Sequence, residues 1–103
     1  MAKQKLELTW IGKGEEINAE PRILLYDKEK SYGDQNAENM LIHGDNLLAL
    51  KALEQEYAGK VKCIYIDPPF NTGAAFEHYD DNVEHSIWLN LMHQRFLIMW
   101  NLL

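Results

Sequence analysis

From Met40 onward the apolar and polar positions of the chain fall into blocks separated by turn residues. Met40-Leu41-Ile42-His43 is a short apolar run, stopped by Gly44-Asp45-Asn46. Asp45 is placed to cap a helix, because a carboxylate there accepts free backbone N–H groups of the first turn. Leu47, Leu50, Leu53 and Tyr57 then recur at helical spacing, and Gly59 suits the stop. Val61 to Ile66 is nearly all apolar and rich in β-branched and aromatic residues, the pattern of a central parallel strand covered on both faces. The prolines of Asp67-Pro68-Pro69-Phe70 end it by removing two ladder donors. A polar loop from Asn71 to about His85 follows, and a long apolar helix closes the sequence.

Strand, helix, strand, loop, helix predicts an α/β fold with an open, mostly parallel sheet. Met40–His43 and Val61–Ile66 would be parallel neighbours joined by the helix after Asp45. Residues 1–39 have no comparable order. Leu6-Glu7-Leu8-Thr9-Trp10 alternates like a short strand, Ile23-Leu24-Leu25-Tyr26 is an apolar patch after Pro21, and polar residues fill the remainder. This part is expected to be an irregular arm that packs on something else.

Composition narrows the class. With 103 residues, 47% hydrophobic and 25% charged, the chain fits one small globular domain or a piece of a larger one. The single cysteine, Cys63, excludes an internal disulfide framework and makes the cytoplasm the default location. No apolar run follows the basic start, as a secretory signal would need. The stretch from Ile87 to Leu103 is broken by Asn90, His93, Gln94, Arg95 and Asn101, so it reads as a buried helix and not a membrane span. A net charge of −6 argues against nucleic acid as a partner on its own. If DNA is bound, most phosphate contacts fall outside this segment.

The chemistry concentrates at the ends of the two expected strands. In open α/β sheets ligands bind at that edge, so Asp45 and Asp67 would open onto one crevice. Paired prolines make a stiff turn, and a carboxylate beside a proline carbonyl forms a rigid pair of acceptors. Such a pair suits an exocyclic amino group, which offers two hydrogens. Phe70 adds a flat face for stacking, worth about 1–3 kcal/mol per base. The four residues would serve equally as a strand-ending turn with a core phenylalanine, and taken alone they leave both alternatives open.

Their surroundings add a resemblance. Leu41-Ile42-His43-Gly44-Asp45-Asn46-Leu47 and Ile64-Tyr65-Ile66-Asp67-Pro68-Pro69-Phe70-Asn71-Thr72-Gly73 resemble the methylation subunits of type III restriction-modification systems. They also resemble the wider group of amino-directed DNA methyltransferases with an Asp-Pro-Pro-Tyr/Phe motif. Leu8-Thr9-Trp10-Ile11-Gly12-Lys13, Pro21-Arg22-Ile23-Leu24 and Lys30-Ser31-Tyr32-Gly33-Asp34 extend the likeness upstream. Tyr79-Asp80-Asp81-Asn82, His85-Ser86 and Trp88-Leu89 extend it downstream.

The resemblance implies a partial Rossmann-like methyltransferase fold, with residues 1–39 as the amino-terminal arm and 40–103 as the first part of the S-adenosylmethionine-dependent domain. It implies methyl transfer from S-adenosyl-L-methionine to the adenine amino group in DNA. Asp67 and Pro68 would hold the amino group, Pro69 would complete the turn, and Phe70 would stack on the flipped base. Asp45 matches the acid that contacts the adenine moiety of the cofactor, and its two oxygens allow it to cap the helix as well. Duplex DNA with a flipped base is the implied partner, with a restriction subunit and, at full length, a homodimer as further candidates. Cytosine amino methylation is the alternative within enzymes, although those enzymes more often resemble Ser-Pro-Pro-Tyr. A catalytically inactive remnant is the alternative outside them.

Other residues weigh less. Asn71, Thr72 and Gly73 are candidates to line the cleft. Tyr79-Asp80-Asp81-Asn82 reads as a solvated loop or a cleft-shaping segment. Cys63 lies mid-strand without the Pro-Cys motif of covalent ring-carbon methylation, so a buried structural thiol is expected. His43, His78, His85 and His93 have no metal-ligand spacing, and no metal site is expected. The glycine-rich turn that the family places far downstream has no counterpart among the six glycines. The resemblance therefore implies an amino-terminal fragment, inactive alone and lacking a target-recognition region.

Overall fold

The sequence around Asp45 builds the first helix as its letters suggest. The computed structural model describes residues 4–15, 20–69 and 81–103, and α1 spans Asn46–Tyr57. The Asp45 carboxylate caps it, with Oδ1 accepting from the amides of Leu47 at 2.9 Å and Leu48 at 3.3 Å. Leu47, Leu50, Leu53 and Tyr57 are all half-buried. The Ala58 amide bonds back to the Glu54 carbonyl, and Gly59 follows at φ +72, the left-handed position where glycine ends helices cheaply.

The long closing helix, α2, spans Asp81–Leu102. Its apolar residues lie all around the cylinder, as expected of a helix contacted from several sides. Among the described residues Met92, Ile98 and Leu102 form the buried core. α1 packs along it. Arg95 bonds Asn46 near the start of α1, and Asn101 bonds Glu54 farther along. Both contacts advance in the same direction, so the two helices run roughly parallel. The chain leaving α1 then turns onto the end of α2. The amides of Gly59 and Val61 bond the carbonyls of Asn101 and Leu102, each at 3.0 Å. These are terminal carbonyls with no partner inside the helix, so the contact satisfies groups that would otherwise need water.

The α/β fold with an open, mostly parallel sheet, and with it the partial Rossmann-like architecture, is not what forms. Among the described residues there are two α-helices and a short 3₁₀ turn at Lys28–Lys30, and no strand. Met40–His43 and Val61–Ile66 do not pair as parallel neighbours. An apolar β-branched run makes a strand only when adjacent chain supplies ladder partners, and the described residues supply none to either segment. The consequence is exposure: Leu41 is 100% and Tyr65 95% accessible, and Cys63 is exposed where burial was expected. Leu6–Trp10 is likewise no strand. The chain turns instead, with the Lys13 amide bonded to the Trp10 carbonyl.

The start of α2 also differs from expectation. Asp81 and Asn82 lie in its first turn, not in a loop reaching to about His85. Acidic residues favour the positive end of a helix, so Glu84 is compatible with a first turn despite its polarity. Tyr79 and Asp80 lie outside the described residues. With a radius of gyration of 17.4 Å and extents of 57 × 41 × 24 Å, the chain is more open than a close-packed domain of about 100 residues, for which roughly 13 Å is usual.

Residues 10–13 pack on one face of α2. Ser86, Asn90 and His93 are spaced to share that face. The Trp10 indole donates to Asn90 Oδ1 at 2.6 Å, and Asn90 Nδ2 donates to the Ile11 carbonyl at 2.8 Å. The Ile11 amide donates to the buried Ser86 hydroxyl at 3.2 Å. The Trp10 and His93 rings meet edge to face, 5.2 Å between centroids, and Lys13 lies over the Trp10 ring at 5.1 Å.

Candidate active site

The turn after Ile66 owes its form to its prolines. Pro68 and Pro69 have no amide hydrogen, so only carbonyl groups remain as backbone handles. One is used: the Trp88 indole N–H, from the second turn of α2, donates to the Pro69 carbonyl at 2.5 Å. The Asp67 carboxylate and the Pro68 carbonyl make no bond among the described residues. Asp67 is exposed and Pro68 half-buried. The helix thus holds the turn by its third residue, and the two acceptors ahead of it stay open. Phe70, Asn71, Thr72 and Gly73 lie outside the described residues, as does His78.

The second expected position, Asp45, stands at the start of α1. Both amide bonds that it accepts fall on Oδ1, leaving Oδ2 without a partner among the described residues. Beside it is a hollow of about 170 Å³, walled by Arg22, Ile23, Ile42, Gly44, Asp45 and Leu48 among others. An apolar wall next to an open carboxylate oxygen suits a flat heteroaromatic group with a donor at its edge, such as the adenosine part of S-adenosylmethionine. Arg22 and Ile23 reach this hollow from the arm, a contribution that sequence reasoning did not assign to the site.

Asp45 and Asp67 share neither a hydrogen bond nor this hollow. What connects the two turns is α2. Arg95 donates from Nε to Asn46 Oδ1 at 2.5 Å, one residue after Asp45, and from Nη1 to the Leu91 carbonyl at 2.9 Å. Trp88 and Arg95 were not singled out as site residues from the sequence. A signal existed for Arg95, because a cation inside an apolar helix needs a partner. Trp88 carried a weaker one, as an indole N–H seeks an acceptor when its ring is partly buried.

Among the described residues no group of three or more histidine, cysteine or acidic side chains is arranged to hold a metal ion. Among the described residues no helix is long and apolar enough to cross a membrane.

Comparison with known proteins shows what the chain is similar to, and several of these relatives are Mod subunits of type III restriction-modification enzymes. It is 51% identical over 67 residues to the HindVI Mod subunit of Haemophilus influenzae, a match covering 65% of this chain and 9% of that protein. It is 40% identical over 89 residues to the EcoP15I Mod subunit of Escherichia coli, covering 80% of this chain and 14% of the relative. A type II methyltransferase, M.EcaI of Enterobacter cloacae, is 41% identical over 71 residues, covering 63% of this chain and 16% of that protein. The matched segment is thus between about a tenth and a sixth of these relatives' length. No family model and no solved structure matches the chain.

Proposed function

We propose that this chain contributes the target-base turn, and one contact to the methyl donor, of a site-specific DNA methyltransferase acting on the adenine amino group within a restriction-modification system. The observation that carries the reading is the state of the Asp67–Pro69 turn. Its third carbonyl is tied to Trp88, while the Asp67 carboxylate and the Pro68 carbonyl have no partner among the described residues and stand as adjacent acceptors. The names of the relatives support the same reading, one being called a methyltransferase and others Mod subunits.

The chemistry follows from the weakness of the nucleophile. An exocyclic amine on a purine shares its lone pair with the ring. Acceptors at Asp67 and Pro68 hold its two hydrogens and favour a geometry in which the lone pair leaves the ring plane. Bound S-adenosylmethionine supplies the methyl group. Holding the reacting atoms at about 3–3.5 Å accounts for much of the rate. Asp67 then takes the proton that the methylated nitrogen sheds, so it acts as orienting group first and proton acceptor second. Phe70 stacks on the extruded base, since the amino group is paired inside a duplex and cannot be reached there. Asp45 keeps α1 capped through Oδ1 and offers Oδ2 to the adenosine part of the donor.

The test is methyl incorporation by a polypeptide of full Mod length that carries these residues. Labelled methyl groups are expected in duplexes whose site contains adenine, recovered as N6-methyladenine. Recovery of N4-methylcytosine alone would assign the pocket to the other amino base, and no incorporation into any duplex would refute the reading.

A further inference from the structure

The two turns assigned to the site are fastened to one face of one helix. Trp88 bonds the Pro69 carbonyl, and Arg95 bonds the Asn46 side chain. The two residues are seven positions apart on α2, which returns them to the same face with about 10.5 Å of rise between them. Pro69 follows the Pro68 carbonyl, and Asn46 follows the Asp45 carboxylate. We infer that Trp88 and Arg95 are positioning residues, and that α2 is a rigid spacer setting the amino-group acceptors at a fixed distance from the methyl-donor contact.

The residue types suit the task. With no amide hydrogens at Pro68 and Pro69, a carbonyl is what α2 can grip. Gripping Pro69 leaves the Pro68 carbonyl for the substrate. A lysine or arginine donor at position 88 would pair with the nearby Asp67 carboxylate and mask it, whereas an indole N–H donates without charge. The cation of Arg95 is held two turns away, against the neutral Asn46 side chain and the Leu91 carbonyl. Its planar fork presents donors to both partners in a fixed geometry, which a lysine ammonium lacks. An error of about 1 Å between reacting groups can lower a rate by roughly 100-fold, so a spacer of this kind has catalytic consequences without touching substrate.

The inference rests on the proposed methyl transfer, and its test separates the two. In the polypeptide of full Mod length, Trp88 is replaced by benzothienylalanine, which keeps the ring shape and substitutes sulfur for the N–H. The expected result is a fall in kcat of about 10- to 100-fold with an unchanged melting temperature and little change in KM for S-adenosylmethionine. Arg95→Lys is expected to do the reverse, raising that KM more than it lowers kcat. Unchanged kcat in the benzothienylalanine protein overturns the inference, as does a loss of activity matched by a loss of stability. Hydrogen exchange of the Trp88 indole gives an answer independent of activity. It should be slow, against rapid exchange at Trp100, which is 77% exposed. Equal exchange at both indoles removes the spacer even if methyl transfer is confirmed, while slow exchange in a protein that transfers no methyl group leaves the spacer standing and refutes the function.

Discussion

The arm at Trp10–Gly12 and the turn at Asp67–Pro69 both rest on α2, yet helix and partner are matched in opposite ways. At the arm three polar groups are answered by α2. The indole, the Ile11 amide and the Ile11 carbonyl meet Asn90 and Ser86, and an aromatic edge and a cation complete the contact. At the turn an indole grips one carbonyl, and among the described residues the neighbouring acceptors have no partner. Saturated polar contacts fix a structure, since an unsatisfied buried group costs about 1–3 kcal/mol. Open acceptors on a stiff turn are what a ligand with two donor hydrogens requires. The difference separates a clasp from a site on one helix.

Substitution at Gly12 should break the clasp with the largest loss of stability. Its φ is +91, and an added Cβ would lie 2.6 Å from Asn90 Nδ2. Gly12→Ala is expected to cost about 2 kcal/mol or more, from left-handed backbone strain plus displacement of Asn90. Thermal unfolding reads the loss. The pair Gly12→Ala with Asn90→Ala should cost less than the sum of the single changes, because the clash is then absent. Strict additivity would show that Asn90 is not what Gly12 accommodates.

A smaller effect sharpens the other side. Asp45→Ala should cost about 1 kcal/mol through loss of the α1 cap, whereas Asp45→Asn keeps an acceptor and should cost a few tenths. In a polypeptide of full Mod length, Asp45→Asn should nevertheless weaken use of the methyl donor. Equal stability and equal KM in that variant would leave Asp45 as a cap alone.

The smallest effect belongs to the rim of the clasp. The Lys13 ammonium bonds the Glu7 carboxylate at 2.8 Å, and also the Leu8 carbonyl. That hydrogen bond, with the attraction of the lysine charge, holds the Glu7 carboxyl below the ordinary glutamate range. A carboxyl with a depressed folded value contributes above its unfolded value and loses the contribution as pH falls through the folded one. The pair is solvent-exposed and screened, so Glu7→Gln should leave the melting temperature at neutral pH almost unchanged. Carboxyl titration by NMR should find Glu7 below the ordinary glutamate range, and a titration within that range would dissolve the pair.

How much of this was legible depended on whether a pattern completes itself locally. Asp45, the leucine spacing and Gly59 lie within one stretch of chain, and α1 formed as they indicate. The apolar run Val61–Ile66 states only that it could be covered. Strand formation needs ladder partners that an isolated run does not contain, so the expected sheet, the buried Cys63 and the shared crevice did not follow. The start of α2 was hidden because polar first-turn residues look like loop. The likeness to type III Mod subunits was legible from residue types, as the relatives bear out. The attachment of that turn to Trp88, and of Asn46 to Arg95, joins residues far apart in sequence, which spacing alone does not encode.

The central claim is that Asp67 acts directly on the reacting amine, and one pairwise assay addresses it. Asp67→Ala and Cys63→Ser are prepared in a polypeptide of full Mod length, checked for folding by circular dichroism, and scored for methyl transfer to an adenine-containing duplex. With an acceptor removed from the amine, Asp67→Ala should fold normally and lose transfer, while Cys63→Ser should remain active because the thiol has no part in direct transfer. An active Asp67→Ala beside a well-folded but inactive Cys63→Ser would mean a covalent route through the thiol and would contradict the account.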